Sequence, residues 1–206
     1  MMHALIAQKS TRKIFRLPLT TQQAYNMLLG AYEAEVAYRH RKFVLDDATK
    51  NNILKVAEFL TSDPGKFGFM LIGNCGNGKT TLLYAFQNLL NYLAKREVVP
   101  KDCGIQIVDA REVTEKAKDY KEMSALKRKP MLAIEDMGRE STEVLDYGNV
   151  YNPVIDLLEY RYDQQLFTAF TSNLSVDELT EKYGKRIADR FREMFAKVVF
   201  KQPTYR

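Results

Sequence analysis

The sequence predicts an α/β fold of three layers with a mainly parallel, five-stranded sheet. Short apolar runs alternate with segments of helical periodicity along most of the chain, as expected of strands joined by crossover helices. A glycine-rich loop separates one apolar run from a long helical segment, and two acids end another apolar run. Ligands bind at the carboxyl ends of the strands in such sheets, so we expect both features at one edge.

Five continuous apolar runs are the predicted strands. Runs without alternation are typical of strands that are buried on both faces. The predicted strands are residues 67–72, 105–108, 131–134, 167–170 and 198–200. The predicted helices between them are residues 80–93, 110–126, 151–162 and 176–195, the last with a break at Gly184.

The N-terminal region is predicted to be helical and distinct from the α/β core. An apolar stripe at helical spacing begins near Thr21, and the adjacent acids Asp46 and Asp47 resemble the start of a second helix. We therefore expect residues 1–45 to be a segment that binds a partner or packs on its own core. Residues 46–206 are the predicted core.

Composition narrows the class of protein. The chain has 206 residues, of which 46% are hydrophobic and 28% are charged. It is therefore predicted to fold as a globular domain that needs no disulfide or structural metal. It has no secretory signal pattern and no apolar stretch of membrane-spanning length. Its two scattered cysteines indicate reduced thiols, and we expect a cytoplasmic protein. The net charge of +5 is compatible with a nucleic-acid partner without demonstrating one.

The glycine-rich loop has the pattern of a phosphate-binding loop, here called the phosphate loop. Glycines let backbone N–H groups turn toward phosphate oxygens, and the following helix adds its positive end. Lys79 is expected to reach the β- and γ-phosphates, and the Thr80 hydroxyl is expected to ligate Mg²⁺. The sequence thus predicts binding of a nucleoside triphosphate, namely ATP. The predicted binding residues are Gly73, Asn74, Cys75, Gly76, Asn77, Gly78, Lys79, Thr80 and Thr81.

Glu135 and Asp136, the acidic pair, follow the apolar run 131–134. Phosphate-loop enzymes need an acid in the Mg²⁺ shell and a group that orients the attacking water. We expect Glu135 to act on Mg²⁺ through water and Asp136 to orient or deprotonate the attacking water. The sequence therefore predicts a Mg²⁺-dependent ATPase.

Four motifs, in this order and spacing, resemble one family. They are the phosphate loop, the acidic pair with Met137 and Gly138, the run that ends at Asn173, and the stretch from Tyr183 to Phe191. They resemble the AAA+ ATPases of the DnaC/DnaI helicase-loader and IstB transposition-helper group, over roughly residues 43–206. The resemblance implies an AAA+ core of the P-loop NTPase type without a C-terminal helical lid, since no residues follow Arg206 here.

The resemblance also implies roles for two more residues. Asn173 matches the sensor-1 position, which helps to place the attacking water. Arg190 matches the arginine finger that reaches the γ-phosphate of a neighbouring subunit, although Arg186 and Arg192 are alternatives. The implied protein is a homo-oligomer on assembly. The family usually has Asp first and Asp or Glu second in the acidic motif, and the reversed sizes here predict slow hydrolysis.

Three functions are compatible with these features. The first is a replication accessory ATPase that loads the replicative helicase, as the resemblance implies. The second is a transposition helper that acts on a transposase, and the third is a nucleotide-dependent interaction switch with little hydrolysis. A small-molecule kinase is disfavoured, because it would need an acceptor site and a lid.

Single-stranded DNA is the expected nucleic-acid partner, and two segments are candidates to contact it. Lysines can contact phosphates, and an exposed aromatic ring can stack on a base. Acids are interleaved in the first candidate, so a plain solvated helix fits it equally well. The first consists of Lys116, Lys118, Tyr120, Lys121, Lys127, Arg128 and Lys129. The second is residues 139–151, with Tyr147 and Tyr151, predicted as a mobile loop.

Overall fold

The predicted α/β fold with a five-stranded parallel sheet is confirmed. The structure is a computed structural model that describes residues 14–141, 144–146, 149–201 and 204–205. The strands follow the order β2-β3-β6-β1-β7 across the sheet, and every pairing in it is parallel. They are β1 (Gly68–Gly73), β2 (Gln106–Asp109), β3 (Met131–Glu135), β6 (Phe167–Ser172) and β7 (Phe195–Phe200).

Helices cover both faces of the sheet. One hydrophobic cluster contains the buried faces of α1, α2 and α3, and the other contains those of the remaining helices. This gives the three predicted layers. The helices are α1 (Thr21–Tyr38), α2 (Asp47–Thr61), α3 (Lys79–Lys95), α4 (Ala110–Lys116), α5 (Tyr120–Arg128), α6 (Pro153–Asp163), α7 (Val176–Tyr183) and α8 (Lys185–Met194).

Helix α1 packs on the α/β core in the described part of the chain. It begins with a reciprocal cap, in which the Gln23 N–H donates to Thr20 Oγ1 at 3.2 Å and the Thr20 N–H donates to Gln23 Oε1 at 2.9 Å. Its buried residues Ala24, Leu28 and Tyr32 belong to the cluster that α2 and α3 share. Residues 1–13 lie outside the described residues, and the division of the chain at residue 45 stays a prediction.

Two local expectations were wrong. The helix predicted over residues 110–126 is broken, because the Asp119 side chain accepts from the N–H groups of Lys121 and Glu122 and so caps a new helix, α5. The predicted loop over 139–151 contains an antiparallel pair, β4 (Val144–Asp146) with β5 (Asn149–Tyr151). Across the described ranges, no helix has the length and apolar character needed to span a membrane.

Candidate nucleotide site

A cavity of about 710 Å³ lies at the carboxyl ends of the central strands. Its volume is in the usual range for small-ligand sites. Strand β1 leads into the phosphate loop, β3 ends at the acidic pair, and β6 is followed by Asn173. The predicted residues that line the cavity are Cys75, Gly76, Asn77, Gly78, Lys79, Thr80, Thr81, Glu135, Asp136 and Asn173.

The phosphate loop has the backbone that its glycines predict. Gly73 has φ 142° and Gly78 has φ 95°, and a Cβ on Gly73 would lie 2.2 Å from the carbonyl oxygen of Phe200. Only glycine fits such a close approach. Helix α3 begins after Gly78 without a side-chain cap, so the first-turn N–H groups of the helix point to where an anion would bind.

The Lys79 side chain is buried within the loop. Its Nζ donates to the carbonyl oxygens of Gly73 and Asn74, at 2.5 and 2.7 Å. It also donates to Oδ1 of Asn77 at 3.2 Å and to Oδ1 of Asn173 at 3.0 Å. The carbonyl groups of Gly73 and Asn74 thus hold the lysine, and neither residue belongs to the described lining of the cavity. The contact to Asn173 joins the loop to the end of β6, the strand next to β1 in the sheet.

Hydrogen bonds tie the acidic pair to the end of β6. The N–H of Asp136 donates to Thr171 Oγ1 at 2.9 Å, and the N–H of Met137 donates to the Thr171 carbonyl at 2.8 Å. Ser172 Oγ donates to the Met137 carbonyl at 2.5 Å. Asp136 has φ 54°, a left-handed conformation that Asp tolerates better than most residues. The chain turns sharply here, and both acids line the cavity.

Two further charged residues hold this turn. Arg139 forms an ion pair with Asp136, and the hydrogen bond between them raises the pKa of Arg139. Glu140 is buried; its Oε2 accepts from the Gly138 N–H at 2.9 Å and its Oε1 accepts from the Tyr183 hydroxyl. Sequence reasoning missed both contacts, although the spacing of Arg139 three residues after Asp136 is compatible with an ion pair across a turn.

Helix α1 and the residues after it form a further wall of the cavity. Glu35 pairs with Arg39, the Arg39 guanidinium stacks on the Tyr84 ring, and the Tyr84 hydroxyl approaches Glu135. Burial, followed by the charge of Glu135, raises the pKa of Tyr84. Helical spacing from Thr80 predicts that Tyr84 shares its face of α3, but the part played by α1 had no sequence motif. The lining residues from this region are Tyr32, Val36, Arg39, Arg41, Lys42, Phe43 and Val44.

Tyr205 also reaches the phosphate loop. Its N–H donates to the Gly76 carbonyl at 3.0 Å, and its hydroxyl donates to Asp46 Oδ2. The Thr49 hydroxyl lies 3.1 Å from the same hydroxyl. Tyr205 therefore connects the loop to the start of α2, and it also lines the cavity.

Arg190 lies on α8, and the cavity lining among the described residues does not include it. Its Nη1 is 2.8 Å from Glu159 Oε1, an ion pair without hydrogen-bond geometry, and its guanidinium stacks on Tyr162 at 4.8 Å. Arg186 is 3.3 Å from the same carboxylate oxygen, whereas Arg192 pairs with Asp189. Arg190 is the most buried of the three arginines, and the choice among them stays a prediction.

The donors in the cavity suit magnesium. The Thr80 hydroxyl and the Glu135 carboxylate are hard oxygen donors of residues that line the cavity. Mg²⁺ usually takes one or two protein ligands and completes its shell with water and substrate phosphates, so these two donors fit it. Over the described parts of the chain, no cluster of three or more His, Cys, Asp or Glu residues is positioned to hold a metal.

Among the described residues of the two predicted DNA-contacting segments, Arg139 alone belongs to the cavity lining. In the first segment, acids neutralise three lysines: Lys116 pairs with Glu112 and Glu122, Lys118 with Glu115, and Lys127 with Asp156. Tyr120 is exposed. In the second segment, Tyr147 lies outside the described residues. DNA contact at either segment stays a prediction.

Known proteins resemble this chain in sequence and in fold. No protein-family model matches it. The replicative helicase loader DnaI of Bacillus subtilis (strain 168) is 32% identical over 138 residues, which are 62% of this chain. The chain spans only 41% of the length of that relative.

Solved structures extend the likeness. The DnaC helicase loader superposes with a TM-score of 0.58 at 21% identity, over 78% of this chain and 94% of that one. DnaI gives a TM-score of 0.58 at 26% identity, over 80% and 88%. The replication initiator DnaA bound to AMPPCP and single-stranded DNA gives 0.55 at 17% identity, over 78% and 49%. Together with the parallel sheet and the phosphate loop, these likenesses support a DnaC/DnaI-like AAA+ protein with the P-loop NTPase fold.

Proposed function

We propose that this protein is an ATP-binding and ATP-hydrolysing replication accessory protein that acts on a replicative helicase as a loader. One observation carries the proposal: the phosphate loop, the acidic pair and Asn173 meet in one cavity of a chain that is 32% identical to a replicative helicase loader over the matched residues. A phosphate-binding loop after β1 and acids at the end of β3, with β6 between these two strands, suit phosphoryl transfer to water.

Each residue in the cavity has a proposed role. Lys79 contacts the β- and γ-phosphates, and the N–H groups of the phosphate loop and of the first turn of α3 bind phosphate oxygens. Thr80 and Glu135 hold Mg²⁺, which neutralises charge on the phosphates when it is bound. Asp136 and Asn173 orient the attacking water. Arg190 of a neighbouring copy neutralises the charge that builds on the transferring phosphoryl group.

The partners follow from the same proposal. Arg190 is absent from the lining of its own cavity, so a role at the γ-phosphate requires a second copy of the chain. We therefore propose a homo-oligomer that forms on assembly with the helicase in the cytoplasm. A similar fold, that of DnaA, has been solved with AMPPCP and single-stranded DNA, which supports a nucleotide and single-stranded DNA as ligands here.

A nucleotide-dependent switch with little hydrolysis is the second candidate. It is favoured by the ion pair between Arg139 and Asp136, which engages the acid proposed to orient water. ATP turnover measured with and without single-stranded DNA separates the two candidates. A switch would bind ATP and turn it over at the background rate under both conditions.

Capture of the helicase is the experiment for the loader role. The immobilised protein is incubated with lysate of its host in ATP or ADP, and bound proteins are identified. The proposal predicts that the replicative helicase is recovered, in an amount that depends on the nucleotide, and that the Lys79→Ala variant loses this dependence. Recovery of a transposase in place of the helicase would instead indicate a transposition helper and contradict the loader role.

A further inference from the structure

A line of side-chain contacts runs from α1 to the acidic pair. It begins at Glu35, which is only 7% exposed. Its carboxylate accepts from Arg39 Nε at 2.8 Å and from Asn88 Nδ2 of α3 at 3.3 Å. A charged group this buried needs partners such as these. Because Glu35 also contacts Asn88 of α3, its ion pair with Arg39 holds the Arg39 side chain over α3.

Arg39 and Tyr84 make the next contact. The guanidinium carbon lies 5.4 Å from the centre of the Tyr84 ring, within the range of a cation–π interaction. The Tyr84 hydroxyl then donates to Glu135 Oε2 at 3.4 Å. Tyr84 lies one helical turn after Thr80 on α3. Through Tyr84, Glu135 therefore contacts the helix that carries Thr80, the other residue proposed to hold Mg²⁺.

We propose that Tyr84 is a positioning residue for Glu135 and that Arg39 holds the Tyr84 ring in place, so that α1 helps to order the magnesium side of the nucleotide site. This inference rests on the proposed function, which assigns Glu135 to Mg²⁺. It gives the region before the core a part in nucleotide binding that no motif of the sequence assigns to it.

The physical effect is orientation. A carboxylate at the end of a strand rotates about its own side-chain bonds, and fixing it before the metal binds lowers the entropy that binding costs. A hydroxyl donor at Oε2 is compatible with a second donor at Oε1, since a carboxylate accepts through both oxygens. Removal of a group that orients a metal ligand typically weakens metal binding by about 10–100-fold. Because the contact is long, we expect a smaller effect here.

Helix α3 supplies its own matched control. Arg96 stacks on Tyr92 with 5.2 Å between the guanidinium carbon and the ring centre, which repeats the Arg39 and Tyr84 contact. Tyr92 is 48% exposed and lies about 12 Å further along the helix axis than Tyr84. A change at Tyr92 or Arg96 therefore alters a similar contact without altering the cavity.

The test is a Mg²⁺ titration of binding, with a fluorescent ATP analogue as the probe. Tyr84→Phe removes only the hydroxyl. In EDTA, we expect the variant to bind the analogue with the same affinity as the unmodified protein. In the titration, we expect it to need about three- to tenfold more Mg²⁺ for the half-maximal change in binding. Tyr92→Phe and Arg96→Gln should leave the Mg²⁺ curve unchanged. Superimposable curves for Tyr84→Phe and the unmodified protein would overturn the proposal.

A double-mutant cycle tests whether Tyr84 acts through Glu135. Glu135→Gln should shift the Mg²⁺ curve by itself, and addition of Tyr84→Phe should shift it no further. Arg39→Gln should shift the curve in the same direction as Tyr84→Phe and should add nothing to it. Additive shifts would show that Tyr84 acts independently of Glu135 and would overturn the positioning role.

Failure of this inference is distinguishable from failure of the proposed function. If the analogue binds equally well to the unmodified protein and to Lys79→Ala, the nucleotide site itself is wrong. If Lys79→Ala weakens binding of the analogue while Tyr84→Phe leaves the Mg²⁺ curve unchanged, only the role of Tyr84 is wrong.

Discussion

Gly78 is a point of close approach between the phosphate loop and α1. Its φ of 95° is in the region that favours glycine, and a Cβ on it would lie 2.2 Å from the hydroxyl oxygen of Tyr32. Burial, followed by the nearby Tyr205 and Asp46, raises the pKa of Tyr32, so its hydroxyl stays protonated beside the loop. A single glycine therefore satisfies a backbone requirement and a packing requirement together.

We predict that Gly78→Ala destabilises the fold and weakens nucleotide binding. The left-handed backbone alone costs a non-glycine residue about 1–2 kcal/mol, and the contact with Tyr32 adds to this. Thermal or urea unfolding measures the loss. Gly30→Ala is the control, since nothing lies within 4 Å of where its Cβ would stand in α1; it should be stabilising by up to about 1 kcal/mol.

Tyr32→Phe distinguishes the two causes. Without the hydroxyl, the nearest ring atom of residue 32 would be 3.4 Å from a Cβ on residue 78, an ordinary contact. The double variant should therefore recover part of the stability that Gly78→Ala loses, leaving the backbone cost. No recovery would show that the contact with Tyr32 contributes nothing.

Sequence predicted the strand, glycine-rich turn and helix of the phosphate loop because they are specified by a short run of residues. The positive φ angles of its three glycines, the strand before the loop and the helix after it all depend on neighbours in the chain. The contacts of Tyr32, Arg39 and Tyr205 with the site could not be predicted in this way. They depend on how α1 and Tyr205 pack against the core, and an amphipathic helix does not specify which element it will contact.

At the scale of elements, the fully buried Arg161 connects helix α6 with helix α5 and strand β6. From α6, its guanidinium donates to the Lys127 and Lys129 carbonyls at the end of α5, and to Thr168 Oγ1 and the Phe167 carbonyl of β6. Burial lowers its pKa to about 9, so it remains charged at neutral pH. If the guanidinium is removed, these four oxygen atoms lose the hydrogen-bond donor that Arg161 provides.

Arg161→Met is therefore predicted to cost about 3–5 kcal/mol of unfolding free energy, as expected when one partner of a buried charged network is removed. Chemical denaturation measures it. Arg111→Met, at an exposed position on α4, should change stability by no more than about 0.5 kcal/mol. Equal stabilities of the two variants would contradict the bridging role of Arg161.

The start of α2 gives a pH-dependent prediction. Burial alone would raise the pKa of Asp46, but hydrogen bonds from the Tyr205 hydroxyl and from Thr49 outweigh it and lower the pKa below its ordinary value. A lowered folded-state pKa adds stability above the unfolded pKa, near 3.8, and this stability is lost as the pH falls through the folded value.

Asp46→Asn tests this linkage, because Asn also caps helices well. We expect the variant to be less stable than the unmodified protein at pH 7, by about 1 kcal/mol or less. Unfolding measured from pH 7 downward should show the difference shrinking below about pH 4. A difference that stays constant with pH would show that the charge of Asp46 adds nothing.

At the scale of the whole molecule, the two parts of the proposed catalytic site lie in different places: one part lines the cavity and the other lies on α8. The phosphate loop and the acidic pair line the cavity, whereas Arg190 is held on α8 by Glu159 and Tyr162. In the proposed assembly, Arg190 leaves Glu159 and completes the site of a neighbour. Sequence resemblance implied this role, but pairing between copies depends on surfaces that one chain does not specify.

Mixing subunits tests completion of the site by a neighbour. Arg190→Ala and Lys79→Ala should each lose ATP turnover when assembled alone. Mixed assemblies pair an intact phosphate loop with an intact Arg190 at some interfaces, so turnover should reappear and rise with protein concentration. Normal hydrolysis by assembled Arg190→Ala, or a mixture no more active than its components, would contradict this role.

The most direct test of the central claim is to measure ATP binding and ATP hydrolysis separately in two variants. Lys79→Ala should lose about ten- to a hundredfold in ATP affinity, as expected for loss of hydrogen bonds from a charged group. Asp136→Ala should bind ATP as the unmodified protein does and fail to hydrolyse it, while Lys95→Ala, at an exposed position on α3, should change neither. Unchanged ATP affinity in Lys79→Ala, or unchanged turnover in Asp136→Ala, would contradict the account.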